Sequence, residues 1–339
     1  MLLLLFLGSS IQLRAQQPSV TNAFGQLQRP SATNQIETFE KAKPKAEAGD
    51  AHAQFGLGWD YGLGIGVEQN DSEAFKWFLL SANAGDTDGQ FCLGEVYKHG
   101  WGVATNVSES IKWLTKAANQ NHAEAENLLG HIYLNGDGVS NDCSEAVKWL
   151  TKAAIQEIPQ AQFSLCGLYS GLYHPGECVA IDDKEAFKWL LKATEHGYPD
   201  DKEALALSEF RLGFYYQNGN VVQKDLSNAF KWFQKAAEQG EPYAQYNLAC
   251  YYELGEGVST NYTEAVKWFR KATEHGLAAA QRELGTCYYR GNGVAKDIVE
   301  AEEWWHKAAS QGEVLAEIKL GLIYEEGDGV PKDYVEAYK

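Results

Sequence analysis

Glu145-Ala146-Val147-Lys148-Trp149-Leu150-Thr151-Lys152-Ala153-Ala154 is a stretch that this chain writes again and again. Its centre returns as Phe75-Lys76-Trp77, Ile111-Lys112-Trp113, Phe187-Lys188-Trp189, Phe230-Lys231-Trp232, Val266-Lys267-Trp268 and, altered, Glu302-Glu303-Trp304. Subtracting the tryptophan numbers in order (77, 113, 149, 189, 232, 268, 304) gives intervals of 36, 36, 40, 43, 36 and 36 residues. A period in that range marks an array of stacked units, each burying its apolar face against its neighbours. Such an array presents a surface, so the pattern speaks of shape before it speaks of any reaction.

Three features lie outward of the tryptophan in each copy. An Asn or Asp precedes the helix that carries it, at Asn70, Asn106, Asp142, Asp225, Asn261, Asp297 and Asp333. These residues accept readily from an unpaired N–H at a helix start. Before the cap comes a Gly-x-Gly-Val turn, as in Gly100-Trp101-Gly102-Val103 and Gly255-Glu256-Gly257-Val258. Its first glycine suits the left-handed residue that closes a helix, and its second permits a tight turn. Before the turn stands another helical pattern, Ala-Gln-x-x-Leu-Gly-x-x-Tyr, seen at Ala53-Gln54, Leu57-Gly58 and Tyr61. Apolar residues four apart form one stripe of an α-helix, and the small residue after Leu lets a second helix approach. The tryptophans therefore read as wedges between helices. Truncating a fully buried one costs about 3–5 kcal/mol.

Together these residues resemble the Sel-one-like repeat (SLR) family, a relative of the tetratricopeptide repeats, from about residue 40 to residue 339. Eight units begin near Ala51, Asp88, His122, Pro159, Ala204, Pro242, Ala278 and Val314. The resemblance implies an all-α solenoid of α/α-hairpins, wound as a right-handed superhelix with a concave face. It also implies a non-enzymatic scaffold or adaptor that binds a protein or peptide along that face. Residues 37–339 are assigned to the solenoid, with the last repeat incomplete: Asp333-Tyr334-Val335-Glu336-Ala337-Tyr338-Lys339 stops one residue before the expected tryptophan. At the other end, the stretch from Lys43 to Asp50 matches the close of a second helix, with polar Lys41 at the tryptophan position.

Composition narrows the partners. The chain has 339 residues, 45% hydrophobic and 22% charged, with a net charge of −17. That balance argues against nucleic acid and anionic membrane surfaces, and admits a basic protein or peptide. The start, Met1-Leu2-Leu3-Leu4-Leu5-Phe6-Leu7, is too short an apolar run to span a bilayer. With Leu13-Arg14-Ala15 it reads as a signal peptide over residues 1–15, although no Lys or Arg precedes the leucines. Residues 16–36 are polar, with Pro18 and Pro30, and read as a disordered linker. The expected location is secreted or periplasmic, without membrane insertion after cleavage; a cytoplasmic location is the alternative.

The repeat fails in a few places. Unit four carries an enlarged loop, Tyr169-Ser170-Gly171-Leu172-Tyr173-His174-Pro175-Gly176-Glu177-Cys178, and Tyr198-Pro199-Asp200-Asp201-Lys202 lengthens the next junction. Insertions of this kind map to loops, on a functional face or by neutral drift. Cys92, Cys166, Cys250 and Cys287 fall within first helices and read as small core residues. Cys143 and Cys178 lie in inter-helix loops of consecutive units and form a candidate disulfide.

No catalytic constellation emerges, and neither a cofactor nor a metal is expected. Gly62-Leu63-Gly64-Ile65-Gly66 lies on a repeat turn with no strand before it, unlike a dinucleotide loop. His99, His131, His196, His275 and His306 are dispersed, without metal-ligand spacing. The alternative function is that of the cysteine-rich secreted relatives, which are linked to β-lactam or cell-wall binding and hydrolysis. No Ser-x-x-Lys motif supports it here.

Two periodic positions remain. Gln54, Gln90, Glu126, Gln162, Glu209, Gln245, Gln281 and Glu317 stand three residues before each repeat Leu. They read as a hydrogen-bond ladder between repeats or as a solvent face. Two residues after that Leu the chain varies: Trp59, Glu95, His131, Gly167, Phe214, Cys250, Thr286 and Leu322. If this position faces a groove, Trp59 and Phe214 are the candidate partner anchors, because aromatics dominate interface hot spots; otherwise both belong to the core.

Overall fold

The computed structural model describes residues 39–172, 177–197, 202–327 and 329–337. The residues read as signal peptide and linker, residues 173–176 of the enlarged loop of unit four, and residues 198–201 of the spacer lie outside them. Among the described residues every regular element is a helix. The chain divides into two compact units, one ending at Asp182 and the other beginning at Asp183.

In the first, α1 (Phe39–Glu47) precedes three hairpins and a single helix. The hairpins are α2 (Ala51–Leu63) with α3 (Asp71–Asn83), α4 (Thr87–His99) with α5 (Val107–Asn119), and α6 (Ala123–Asn135) with α7 (Cys143–Ile155). The single helix is α8 (Pro159–Tyr169). The second compact unit opens with α9 (Asp183–His196). It continues through α10 (Lys202–Asn218) with α11 (Leu226–Glu238), α12 (Pro242–Leu254) with α13 (Tyr262–Glu274), and α14 (Ala278–Arg290) with α15 (Ile298–Ala309). It closes with α16 (Val314–Glu326) and the short α17 (Tyr334–Ala337).

The sequence pattern accounts for each hairpin. Asn106 caps α5 by accepting from the Glu109 N–H at 3.1 Å, and Asn70, Asp142, Asp225, Asn261 and Asp297 cap their helices in the same way. Gly94 then lets the two helices of a hairpin meet. A Cβ there would stand 2.6 Å from Leu114 Cγ. The residue after each tryptophan is the deepest: Phe78, Leu114, Leu150, Leu190, Phe233 and Phe269 are fully buried.

The tryptophans themselves sit at the seams between hairpins. Trp113 packs with Phe55, Trp59 and Phe78 of the preceding repeat, and Trp149 with Leu114 and Ala118. Trp113, Trp149, Trp189 and Trp268 are buried, whereas Trp77, Trp232 and Trp304 are half-buried. A lysine one turn later covers the outer ring face, with Lys116 Nζ 3.6 Å from the Trp113 centroid and Lys271 Nζ 4.1 Å from that of Trp268. Each such contact contributes about 0.5–1 kcal/mol at an exposed site.

The second turn glycine does more than permit a turn. Gly102 is left-handed at φ 68°, and a Cβ there would fall 2.1 Å from the Asp71 carbonyl oxygen. The turn of one repeat thus rests on the first residue of the previous repeat's second helix. Gly257 stands in the same way on Leu226.

Candidate functional surface

The glutamine position builds a two-sided clamp. Gln90 Nε2 donates to the Ala82 carbonyl eight residues back, at 3.2 Å, and Gln90 Oε1 accepts from Gln120 Nε2 at 2.9 Å. One side chain therefore ties the preceding second helix to the first and second helices of its own hairpin. Gln54, Gln162 and Gln245 make the same backbone bond, to Ala46, Ala154 and Ala237. The second bond comes from a glutamine thirty residues on: Gln156 to Glu126 at 2.7 Å, Gln239 to Glu209, and Gln311 to Gln281 at 2.8 Å. Where that donor is absent, an acceptor is orphaned. Oε1 of Gln54, Gln162 and Gln245 is buried without a partner. The residues in the donor's place are Ala84, His196 (four residues later, past the longer loop) and His275.

Glutamate at this position carries a penalty. Glu126 and Glu209 are 1% and 7% exposed. Burial pushes the Glu209 carboxyl up to about 7, against the pull of Lys235 and the Gln239 hydrogen bond. It raises Glu126 as well, opposed by Gln156, Lys152 and His122.

The variable position divides the candidate anchors. Trp59 is 1% exposed, held edge-on by Phe78 at 6.0 Å and Phe55 at 6.4 Å between ring centroids. It belongs to the core and offers a partner no surface. The reason is local: this hairpin carries Phe78 where its neighbours carry Leu114 and Leu150, and the indole fills the space beside that ring. Phe214 packs the same way on Phe210 at 4.8 Å and Phe233 at 5.3 Å, but stays half-buried. Along the row, Glu95 and Thr286 are buried, His131 and Cys250 half-buried, and Leu322 exposed. Leu254, four residues beyond Cys250 on the same helix, is 66% exposed. His131 Nε2 lies 3.4 Å from Ser164 Oγ of α8, and burial holds its pKa down. A hollow of about 720 Å³ in the second compact unit is lined by the turn residues Tyr216 and Val222–Leu226.

Cys143 and Cys178 are joined in the structure, their Cα atoms 4.7 Å apart, so the start of α7 is tied to the loop before α9. Outside that disulfide, Cys92, Cys166 and Cys287 are buried and Cys250 is half-buried.

One constellation escaped the sequence reading. His52, Asp86 and Asp88, from α2, the cap of α4 and α4 itself, place one donor atom each within 4.8 Å of one another. Linear spacing hid it, because 34 residues separate the first two by subtraction (86 − 52). Folding the sequence into its 36-residue register puts His52 and Asp88 at the same repeat position, and that was the available signal.

A family model described as Sel1 repeat matches eight consecutive segments: 51–86, 87–122, 123–157, 159–198, 206–241, 242–277, 278–313 and 314–339. The chain belongs to the Sel1 repeat family. A protective antigen of uropathogenic Escherichia coli with an SLR fold is 33% identical, with a TM-score of 0.74 over 88% of this chain and 62% of that one. This chain therefore spans less than two thirds of that antigen's length. A Sel1 repeat protein of Oxalobacter formigenes is 34% identical, with a TM-score of 0.58 over 82% of this chain and 77% of that one. No curated protein sequence matches the chain. No helix among the described residues is long and apolar enough to cross a membrane.

Proposed function

We propose that this Sel1 repeat protein is an exported, non-enzymatic scaffold that holds a protein or peptide along the variable row of its first helices. The observation that carries the reading is a contrast: a rigid frame of caps, glycines and glutamine clamps surrounds one position that changes character in every repeat. In the second compact unit Phe214 and Cys250 of that row are half-buried, Leu322 is exposed, and Leu254, one turn beyond Cys250, adds a further exposed side chain. Aromatic and aliphatic side chains on rigid helices lose little entropy on binding, which suits them as anchors. The net charge of −17 favours a basic partner and fast, salt-sensitive association.

Export rests on the leader-like residues 1–15 and fits a disulfide between Cys143 and Cys178, since such bonds persist in oxidising compartments. N-terminal sequencing of the protein from the envelope or medium should begin at Gln16. The binding reading is tested by panning a displayed peptide library on the purified chain. Selected peptides should be basic, and Phe214→Ala with Leu254→Ala should weaken them at least about tenfold. Peptides that bind both variants as tightly as wild type would move the interface elsewhere. Turnover of a chromogenic β-lactam, lost on a point substitution, would overturn the non-enzymatic reading.

A further inference from the structure

The starts of the first helices in the first compact unit carry imidazoles and carboxylates: His52, Asp86, Asp88, His122 and Glu124. Two contacts between them cross a seam and a third lies within the start of α6. His52 Nδ1 lies 3.6 Å from Asp86 Oδ2, His122 Nε2 lies 3.4 Å from Asp88 Oδ1, and Glu124 Oε2 lies 3.4 Å from His122 Nδ1. In the next repeat the corresponding residues are Ile158 and Gln160, and the row ends.

At the first seam the two aspartates are held in place by bonds to the protein. Asp86 Oδ1 caps α4 by accepting from the Gly89 N–H at 2.7 Å, which turns Oδ2 toward His52. Asp88 meets His122, whose Nδ1 accepts from the Ala125 N–H at 3.2 Å, so that Nε2 carries the proton toward Asp88. The His122 ring is fixed in turn by stacking on Phe91 at 4.6 Å. Both carboxylates are thus oriented by hydrogen bonds of their own, as second-layer partners orient the ligands of metal sites.

We propose that His52, Asp86 and Asp88 form a binding site for a divalent transition metal ion of the zinc class, clasping the first hairpin to the second. The donor set decides the class. One imidazole with two carboxylates suits zinc and its neighbours, whereas calcium and magnesium take oxygen alone. Donor atoms within 4.8 Å of one another need only small side-chain movements to reach bonding distance, and His52 is exposed enough to make them. The positive end of the α4 dipole opposes a cation with about half a charge, against two full carboxylate charges.

The test is calorimetric titration of the full chain with ZnCl2 at neutral pH, read beside the thermal midpoint. Wild type should bind one tightly held ion and melt higher in its presence. His52→Ala, which alters only an exposed side chain, and Asp86→Asn, which keeps a capping oxygen while losing the charge, should each weaken that binding at least about tenfold. Their circular dichroism should match that of wild type. His275→Ala, at an exposed histidine remote from this seam in sequence, should leave the titration unchanged. Zinc binding equally tight in His52→Ala, or no zinc uptake by wild type, would overturn the proposal. Calcium bound equally by wild type and His52→Ala would also overturn it, by exposing an oxygen-only cluster.

Discussion

Glu209 shows what a single atom costs at a seam. Where Gln245 presents an amide that donates to the Ala237 carbonyl, Glu209 presents a carboxylate that can only accept, in a site 7% exposed. Its pKa rises from an ordinary 4.5 to about 7, so the folded state binds a proton that the unfolded state releases. The favourable contribution is therefore complete below about pH 4.5 and is lost as pH climbs through about 7. Glu209→Gln should melt higher than wild type at pH 8, by roughly 1–3 kcal/mol if the site behaves like other unsatisfied buried groups. The gain should shrink to nothing near pH 5, and thermal melts across that range would check it. A complementary gain is available at Ala84. It occupies the helix-end place of Gln120 and Gln156, and the Gln54 Oε1 it would serve is orphaned. Ala84→Gln should stabilise by about 0.5–1.5 kcal/mol in urea unfolding, and no gain would mean that the clamp contributes nothing. The ladder's periodicity is visible in the sequence, but its partners are not. A spacing of thirty residues carries meaning only once the hairpin geometry is known.

At the scale of one element, the glycine turns separate two effects that the sequence pattern merges. Gly102 and Gly85 are both left-handed, at φ 68° and 95°, but only Gly102 meets a neighbouring backbone within 4 Å. Gly85→Ala should cost about 1–2 kcal/mol, the strain of the conformation alone. Gly102→Ala adds a collision with the Asp71 carbonyl and should cost about 1–3 kcal/mol more by urea midpoint. Equal costs would show that the seam absorbs a methyl group. Helix boundaries, caps and the pairing of hairpins were legible because they recur along the array with nearly the same residue types. The fate of Trp59 was not, since its burial depends on Phe78, one phenyl ring away in space and nineteen residues away by subtraction (78 − 59).

On the scale of the molecule, Cys143 and Cys178 are tied covalently, and the other four cysteines are outside any disulfide. Alkylation in denaturant should add four groups to the unreduced protein and six after reduction, read by mass; six in both cases would show that the tie does not form in solution. Stacked order was the most legible property of all, because a period of 36 admits few other architectures. The cluster at His52 was the least legible, since it arises between repeats rather than within one. The seam has a last consequence, for copy number. Every interface in the regular part of the array joins the tail of one copy to the head of the next. Excising residues 242–277, one whole matched segment, would bring Gln281 to the Ala237 carbonyl and Gly293 to Leu226, partners of the kinds that Gln245 and Gly257 leave behind. The shortened chain is expected to keep a cooperative helical melt. A gene encoding such seams can lengthen or shorten by whole units without inventing a new contact.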